Sequence, residues 1–544
     1  MHETGSIDHD DQEWPPGTVR LEDMLKGGEI ILQPRPSIDP NDPLNWVPWR
    51  KYLNFGLASM CLLIRATYSI NVVTPTWGPM NEQDGFSYGI LNDSYAAGCA
   101  GLAIGGPLMI PFALKYGRRP VYVLSTLGQF AVAIWTARLR TVGDLVAVNT
   151  LNCVLGALGE IIVQMTVADL FFVHERGRMN SIYVWTANIG GSLATIAAGY
   201  ITVNQGWRWV WWWMVIFFGA SLILYIFLFE ETKYNSFTHG VHPDQIHNTS
   251  EASDAKEMAS DLKNVEHGVI SDNMHRPTPI EIDHSIPLLT YRQRFALWST
   301  SPGSFRQFFR HSYQPLVIFA TIPAVFYMSL VYSILNSTGT VVITTLSEYM
   351  YLPPYNFNSA QVGLMSLSAF IGTSLGLIIC GPLSDRSILY LAKRNNGVYE
   401  PEMRLWIMAA FVPFVPAGIF MFGLGLANGS PWPVVAIGYG MLSFGSAAPM
   451  SIALTYLTDA YVEIVADSMV ALTVTRNIVA TVFVFAISPW IEGIGMQNVY
   501  IMLGVLTAVI LLTVFVFIFY GKRIRIKTTS KYRFFTGKQV ESRV

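Results

Sequence analysis

The sequence predicts an all-α membrane protein of about twelve transmembrane helices, arranged as two halves of six helices each. Hydrophobic residues make up 51% of the 544 residues and charged residues only 13%, whereas a soluble globular chain carries roughly 25% charged residues. Apolar stretches of the length that crosses a bilayer as a helix, about 20 residues, recur on both sides of a long polar segment. Most of the surface is therefore expected to face lipid.

The apolar stretches divide the chain into two halves and three polar regions. They cover 52–75, 92–114, 119–137, 145–168, 182–203 and 209–229 in the first half, and 314–337, 361–383, 405–426, 432–456, 467–490 and 498–520 in the second. We number them spans 1 to 12. The predicted domains are an N-terminal tail (1–50), an N-terminal half (51–231), a linker (232–312), a C-terminal half (313–521) and a C-terminal tail (522–544).

The linker differs from the rest of the chain in composition. Its middle reads NTSEASDAKEMASDLKNVEHG, which is too polar to bury a core, so we expect the linker to be largely disordered. Its end, YRQRFALWSTSPGSFRQFFRH, alternates aromatic and basic residues. That pattern fits either a helix on the anionic inner leaflet or the solvated end of a linker.

The distribution of basic residues predicts the orientation of the chain. Lys and Arg are concentrated in the loops after spans 2, 4 and 8 and in the C-terminal tail, whereas the alternate loops hold Arg138, Arg140 and Arg208. Basic loops stay in the cytosol, so both termini and the linker are predicted to be cytosolic. Asn92 and Asn428 begin N-x-S triplets in the outward loops and are candidate glycosylation sites.

Several functional classes are disfavoured. All ten histidines lie outside the spans, and the cysteines (Cys61, Cys99, Cys153 and Cys380) are dispersed in apolar segments, so we expect no metal site. There is no Walker A motif, which argues against ATP as the direct energy source. The net charge of −2 gives no indication of nucleic-acid binding. We therefore expect neither an enzyme nor a resident cofactor.

Three ionisable residues lie inside predicted spans, where charge is costly and is a functional hypothesis by default. Arg65 is in span 1, Glu160 in span 4 and Arg476 in span 11. Arg65 and Glu160 fall at similar depths, so they could pair, either in a substrate or proton site or as a static salt bridge. Arg476 could belong to the same site, or it could snorkel or bind backbone carbonyls.

Uncharged polar residues add to the candidate site. Tyr332 and Asn336 are four residues apart in span 7 and share a helix face, while Asn152 lies in span 4 and Tyr439 in span 10. An apolar chamber with a few polar groups is typical of a small-molecule site. The alternative is hydrogen bonding between helices.

The loop after span 2 carries a family resemblance. It reads FALKYGRRPVYV, similar to the GxLaDRxGRRxxl signature of the major facilitator superfamily. Gly117, Arg118 and Arg119 match the signature and Lys115 matches its first basic position, but Leu114 replaces its acid. A second copy, GPLSDR, ends with Asp385 and Arg386 after span 8. The resemblance implies that both loops latch helix ends and gate the change between inward- and outward-facing states.

A narrower resemblance is to the fungal drug:proton antiporter family 1, twelve-spanner branch, and its polyamine- and cation-transporter-like members. It rests on DPNDPLNW, VADLFFVHERGRMN, PEMRL, YLTDAY and SPWIEGIG. Two positions depart from the branch. Asn152 stands where an Arg is expected in span 4, and Ala194-Thr195 stands where span 5 should carry Gly-Pro.

The resemblance implies a secondary active transporter that works by alternating access around a cavity between the halves. Export of a drug-like compound or secondary metabolite is favoured, with uptake of a polyamine, organic cation or carboxylate nutrient as the alternative. A non-transporting membrane sensor is a third possibility. Glu160 would be the carboxylate that couples transport to protons, and the family implies a monomer, here expected in the plasma membrane.

Overall fold

A computed structural model of the chain describes residues 15–20, 39–66, 74–171, 173–233, 286–298, 305–395, 397–461 and 464–543. The helices are α1 (Pro48–Ala66), α2 (Trp77–Asp84), α3 (Tyr88–Tyr116), α4 (Arg119–Ala137), α5 (Val142–Leu170), α6 (Val173–Gln205), α7 (Trp207–Leu228), α8 (Tyr291–Arg294), α9 (Phe305–Thr321), α10 (Pro323–Tyr349), α11 (Ser359–Arg394), α12 (Leu405–Phe411), α13 (Phe414–Ala427), α14 (Trp432–Ala460), α15 (Val465–Ile494), α16 (Met496–Leu512) and α17 (Val514–Arg543). Two strands, β1 (Val19–Arg20) and β2 (Val398–Tyr399), pair in antiparallel fashion.

Helices occupy all twelve predicted spans, which confirms the predicted fold class. Among the described residues, nine helical segments are long and apolar enough to cross a membrane, and they correspond to spans 2, 3 and 6 to 12. Spans 1, 4 and 5 are occupied by α1, α5 and α6. Span 7 is formed by α9 and α10, span 9 by α12 and α13, and span 12 by α16 and α17.

Local sequence signals set where several of these helices begin. The Ser87 hydroxyl accepts a hydrogen bond from the Ile90 amide and caps α3. Reciprocal capping boxes start α5, between Thr141 and Asp144, and α11, between Asn358 and Gln361. Such caps satisfy amide groups that the first turn of a helix leaves without partners, so they fix the helix ends that protrude beyond the apolar spans.

Glycine allows matching helix pairs to approach closely within each half. A Cβ atom on Gly105 of α3 would lie 2.4 Å from the Val154 carbonyl oxygen of α5, and a Cβ atom on Gly372 of α11 would lie 2.1 Å from the Gly440 carbonyl oxygen of α14. Side chains larger than hydrogen would separate the backbones at both crossings. The two halves therefore use the same packing device for the second and fourth helices of each repeat.

The two halves meet mainly along two helix pairs, α3 with α15 and α6 with α11, and α9 also packs against α3. We call the end of the bundle that holds residues 39–47 and the α3–α4 turn the basic face, and the opposite end the far face. At the far face the Asn92 amide nitrogen donates to the Val484 carbonyl at 2.8 Å, and the Tyr351 hydroxyl donates to the Pro75 carbonyl at 2.9 Å. A Cβ atom on Gly199 would lie 2.5 Å from the Ser359 carbonyl, so the far ends of the halves are in direct contact.

The polar regions differ in part from what the sequence predicts. The pairing of β1 with β2 was not predicted, and α17 continues through most of the predicted tail 522–544. Within the predicted linker 232–312, the described part contains the short helix α8 and the start of α9. Most of the linker lies outside the described residues, so its predicted disorder stays a prediction, as do the domain boundaries.

Candidate functional site

The clearest polar group inside the bundle lies between α10 and α15. The guanidinium carbon of Arg476 lies 5.8 Å from the centre of the Tyr332 ring, within the range of a cation–π contact. Its Nε donates to the Asn477 side-chain oxygen at 3.4 Å. Tyr332 and Arg476 are both half-buried, as is Asn336 one turn from Tyr332. The structure thus brings together three of the predicted site residues.

The other polar residues of α10 mostly serve the helix itself. The Ser333 hydroxyl donates to the Ser329 carbonyl at 2.6 Å, and Ser337 bonds to the Ser333 carbonyl in the same way. Thr345 contacts the Tyr500 hydroxyl of α16 at 2.5 Å. Back-bonding to the preceding turn satisfies a buried hydroxyl without a ligand. The hydroxyls of Ser333 and Ser337 are therefore satisfied within the helix.

Asn152 and Tyr439 lie apart from that group. Asn152 is buried, and its side-chain oxygen accepts a hydrogen bond from Gln129 of α4 at 3.3 Å, which matches the predicted alternative of bonding between helices. The Tyr439 ring packs against Phe422 at 6.2 Å between ring centres.

Tyr95 is a residue that the sequence analysis missed. It is 5% exposed, and its hydroxyl has no hydrogen-bond partner among the described residues. Its ring lies 6.4 Å from the Trp77 ring. A signal was present, because Tyr95 is the single aromatic residue in the small-residue run DSYAAGCAG.

Arg65 and Glu160 lie on α1 and α5, and these two helices pack against each other. The two side chains lie outside what the structure describes, so their pairing stays a prediction. The same holds for the side chain of Asp385 in the second predicted gating loop. Its neighbour Arg386 is exposed at the end of α11.

The first gating loop is the centre of an ion-pair network at the basic face. Arg118 Nε donates to the Asp169 carboxylate of α5 at 3.0 Å. The backbone amides of Arg118 and Arg119 both donate to the Glu231 carboxylate, at 2.9 and 3.1 Å. Gly117 ends α3 with φ = +99°, a conformation that glycine adopts without strain. The loop signature thus places two consecutive amides on one carboxylate.

Two residues after span 6 contact this loop. Glu231 is the carboxylate that both amides contact, and the Lys233 amine donates to the Leu114 carbonyl, at the position where the signature expects an acid. Burial raises the pKa of Glu231. Burial, aided by the charge of Arg118, lowers the pKa of Lys233 to about 8. Lys115 contacts the Tyr116 ring, at 5.7 Å from Nζ to the ring centre.

The C-terminal half has its own network at the basic face. Glu402 and Arg525 form two parallel hydrogen bonds, at 2.7 and 2.6 Å. Arg404 Nε donates to the Asp459 carboxylate at 2.7 Å, and the Tyr399 hydroxyl donates to the same oxygen at 2.6 Å. Among the residues the structure describes, these pairs join residues 399–404 to α14 and α17, and Arg386 takes no part in them.

One predicted modification site conflicts with the structure. Asn92 is only 2% exposed, and its amide nitrogen, the atom that would carry a glycan, donates to Val484 and to the Ser488 hydroxyl. The helix begins at Tyr88, four residues before the predicted span, which turns Asn92 toward α15. A glycan at Asn92 is therefore incompatible with this arrangement, whereas Asn428 is exposed and stays a candidate.

Comparison with known proteins identifies the family. The family model described as Major Facilitator Superfamily matches residues 57–391. The chain belongs to the major facilitator superfamily. An uncharacterized MFS-type transporter of Schizosaccharomyces pombe is 35% identical over 530 residues, which cover 94% of this chain and 90% of that protein. Protein HOL1 of Saccharomyces cerevisiae is 30% identical and covers 92% of this chain and 91% of its own length.

Solved structures agree on the fold of this transporter. The human organic anion transporter MFSD10 aligns with a TM-score of 0.57 at 14% identity, over 86% of this chain and 100% of that one. The xylose transporter XylE of E. coli, in a partially occluded inward open conformation, aligns with a TM-score of 0.52 at 14% identity, over 86% and 99%. At this identity the likeness concerns the fold alone.

Proposed function

We propose that this protein is a secondary active transporter that carries a small organic solute by alternating access, through a site beside Tyr332, Asn336 and Arg476. The observation that carries the proposal is the half-buried cation of Arg476 against Tyr332. Arg476 is eleven residues from the start of the 30-residue helix α15, which at 1.5 Å per residue is about 17 Å, near the middle of span 11. Midplane sites between repeats are typical of alternating access.

The different contacts at the two ends of the bundle support a rocking mechanism. The far face is closed by close backbone packing and hydrogen bonds. At the basic face, by contrast, the ion pairs Arg118–Asp169, Arg404–Asp459 and Arg525–Glu402 each join residues of one half. In this proposal the basic face is cytosolic, both termini are cytosolic, and the protein works as a monomer in the plasma membrane.

Export of a drug-like compound or secondary metabolite is the direction that we propose first, on the branch resemblance. Uptake of a polyamine, organic cation or carboxylate is the second candidate, and one position favours it. Ala194-Thr195 replaces the Gly-Pro pair of the antiporters, and Thr195 lies at the contact between α6 and α11, where a Cβ atom on Gly363 would be 2.8 Å from its carbonyl. The Gly-Pro pair of the antiporters is thus absent from the contact between α6 and α11.

A liposome assay tests the proposal. Purified protein is reconstituted with an entrapped pH dye, and organic cations, carboxylates and neutral lipophiles are added in turn. A proton signal with one charge class identifies the solute class, and its direction relative to the solute separates exchange from co-transport. Arg476→Gln should lower the rate at least about tenfold, equivalent to about 1.4 kcal/mol. The exposed Arg523 on α17 supplies the control Arg523→Gln, which should leave the rate unchanged.

Glu160→Gln tests proton coupling separately. If Glu160 is the coupling carboxylate, this variant should lose transport driven by a pH gradient and keep solute exchange across the membrane. Loss of both activities in a folded protein would argue that Glu160 is structural.

Equal rates for Arg476→Gln and the wild type would remove the basis for the proposed solute site.

A further inference from the structure

The last part of the linker is fastened to the N-terminal half, although in sequence it leads into the C-terminal half. The Asn41 side chain binds this part of the linker through two hydrogen bonds. The Asn41 amide nitrogen donates to the Pro287 carbonyl at 3.1 Å, and the Asn41 side-chain oxygen accepts from the Leu289 amide at 2.9 Å. Asn41 is itself held by the Asp39 carboxylate at 2.9 Å. This part of the linker is therefore docked on a buried, preorganised side chain.

A second anchor is Arg119 of the gating loop. One guanidinium nitrogen donates to the Phe295 carbonyl, another donates to the Ile226 carbonyl of α7 at 2.8 Å, and the guanidinium carbon lies 5.2 Å from the centre of the Phe295 ring. Arg119 is 3% exposed. It thus ties the linker to the end of α7.

The next described element belongs to the other half. Helix α9 begins at Phe305 and is separated from α10 by the single residue Ile322. Its Gln314 donates to the Asp467 carboxylate of α15 at 2.8 Å, and both side chains are buried. Helix α9 also packs against α3 of the N-terminal half, but the Gln314–Asp467 bond and the direct connection to α10 join it to the C-terminal half.

Covalent geometry now sets a limit. Phe295 is the last residue of this part that contacts the N-terminal half, and residues 296–304 lie between it and Phe305 at the start of α9. Ten peptide steps at 3.3–3.6 Å each span at most about 36 Å. Upstream, residues 234–285 separate Lys233 from the anchored part, a length of chain that sets no comparable limit. Although the linker is long in sequence, the free chain between its docked part and α9 is therefore short.

We propose that residues 286–298 act as a tether that limits how far the basic ends of the two halves separate. The proposal rests on the alternating access proposed above, because only a rocking motion would load the tether. It also assigns Arg119 a task beyond the loop: the gating signature holds the tether in place. Release of the anchor at Arg119 lengthens the free chain and widens the opening.

Distances between spin labels across the basic face test the tether. Labels are placed at two exposed positions, Val47 before α1 and Lys393 near the end of α11, in the full chain with its four native cysteines replaced by alanine, in lipid nanodiscs. A flexible Gly/Ser insert of about 12 residues is placed between Gly303 and Ser304. The same insert after Ser250 is the matched control.

The insert after Gly303 should add a population at distances longer by at least about 5 Å, whereas the insert after Ser250 should leave the distribution as in the wild type. Arg119→Leu, which releases Phe295, should produce the same long distances and should add little to the insert after Gly303, whereas Asn41→Leu leaves Phe295 held and should not. A wild type with two populations and no response to that insert overturns the tether alone. One unchanging distance in every variant overturns both the tether and alternating access.

Discussion

The two halves stabilise their basic faces with the same kind of ion pair but bury them to different degrees. In the N-terminal half, the Arg118 and Asp169 side chains are 9% and 24% exposed. In the C-terminal half, the Arg525 and Glu402 side chains are 0% and 7% exposed. A buried charge that loses its partner costs far more than an exposed one. The Arg525–Glu402 pair is thus the more costly of the two to break, whereas Arg404–Asp459 of the same half, at 20% and 23% exposed, resembles Arg118–Asp169.

The N-terminal segment accounts for part of this difference. Arg525 also donates to the Pro16 carbonyl and, at 3.3 Å, to the Thr18 hydroxyl. β1 pairs with β2 next to Tyr399 of the Arg404–Asp459 cluster. A segment of the N-terminal tail therefore covers the ion pairs of the C-terminal half. The buried guanidinium of Arg525 donates to Glu402, to Pro16 and to Thr18.

Arg525→Met should have the largest effect on stability. It leaves the Glu402 carboxylate buried without its cation, which costs about 3–5 kcal/mol. Thermal unfolding in detergent measures the loss. Arg523→Met is the matched control, because Arg523 lies on the same helix but is exposed, and it should change little. If both variants unfold alike, the buried pair does not stabilise this half.

Asp169→Asn should have a smaller effect. It removes the charge that Arg118 contacts, but that site is partly exposed and Arg118 keeps its bond to the Ala113 carbonyl at 3.2 Å. A charge-assisted hydrogen bond contributes about 1.5–3 kcal/mol, and we expect the lower end of that range in the same unfolding assay. A loss larger than that of Arg525→Met would reverse the ranking of the two networks.

Gly17→Val tests the covering segment. Gly17 has φ = +82°, and a Cβ atom there would lie 2.6 Å from the Asp459 carbonyl. The left-handed conformation costs a side-chain residue roughly 1–2 kcal/mol, so the variant should undock β1 and speed tryptic cleavage after Arg20 about 5- to 30-fold. Gly56→Val is the control, since a Cβ atom there meets nothing within 4 Å. Unchanged cleavage in Gly17→Val would show that the segment is not held by this contact.

The spans and the gating loop could be predicted from sequence, but the partners of the loop could not. Twenty-residue apolar stretches are a local signal, and so is a Gly-Arg-Arg turn. Glu231, by contrast, lies more than a hundred residues after Arg118, and its role depends on how α7 packs. β1 and β2 are two residues long, too short for any periodic signal. Asn92 was misassigned because the triplet motif carries no information about the first turns of α3.

The smallest predicted effect is on pH dependence, and it concerns Lys233 in the N-terminal network. Burial lowers its pKa to about 8, below the ordinary lysine value near 10.4. Between those two values the unfolded chain binds the proton and the folded protein does not, so stability rises with pH in that window. The midpoint of thermal unfolding should therefore increase from about pH 8 toward pH 10 relative to Lys233→Met. Glu231 has the opposite sign, because burial raises its pKa. Above the ordinary glutamate range the folded protein keeps a proton that the unfolded chain has lost, so stability falls as pH rises there. Matching pH profiles for the wild type and Lys233→Met would mean that the amine is hydrated in the folded protein. Water would then reach Lys233 as it reaches the partly exposed Arg118–Asp169 pair.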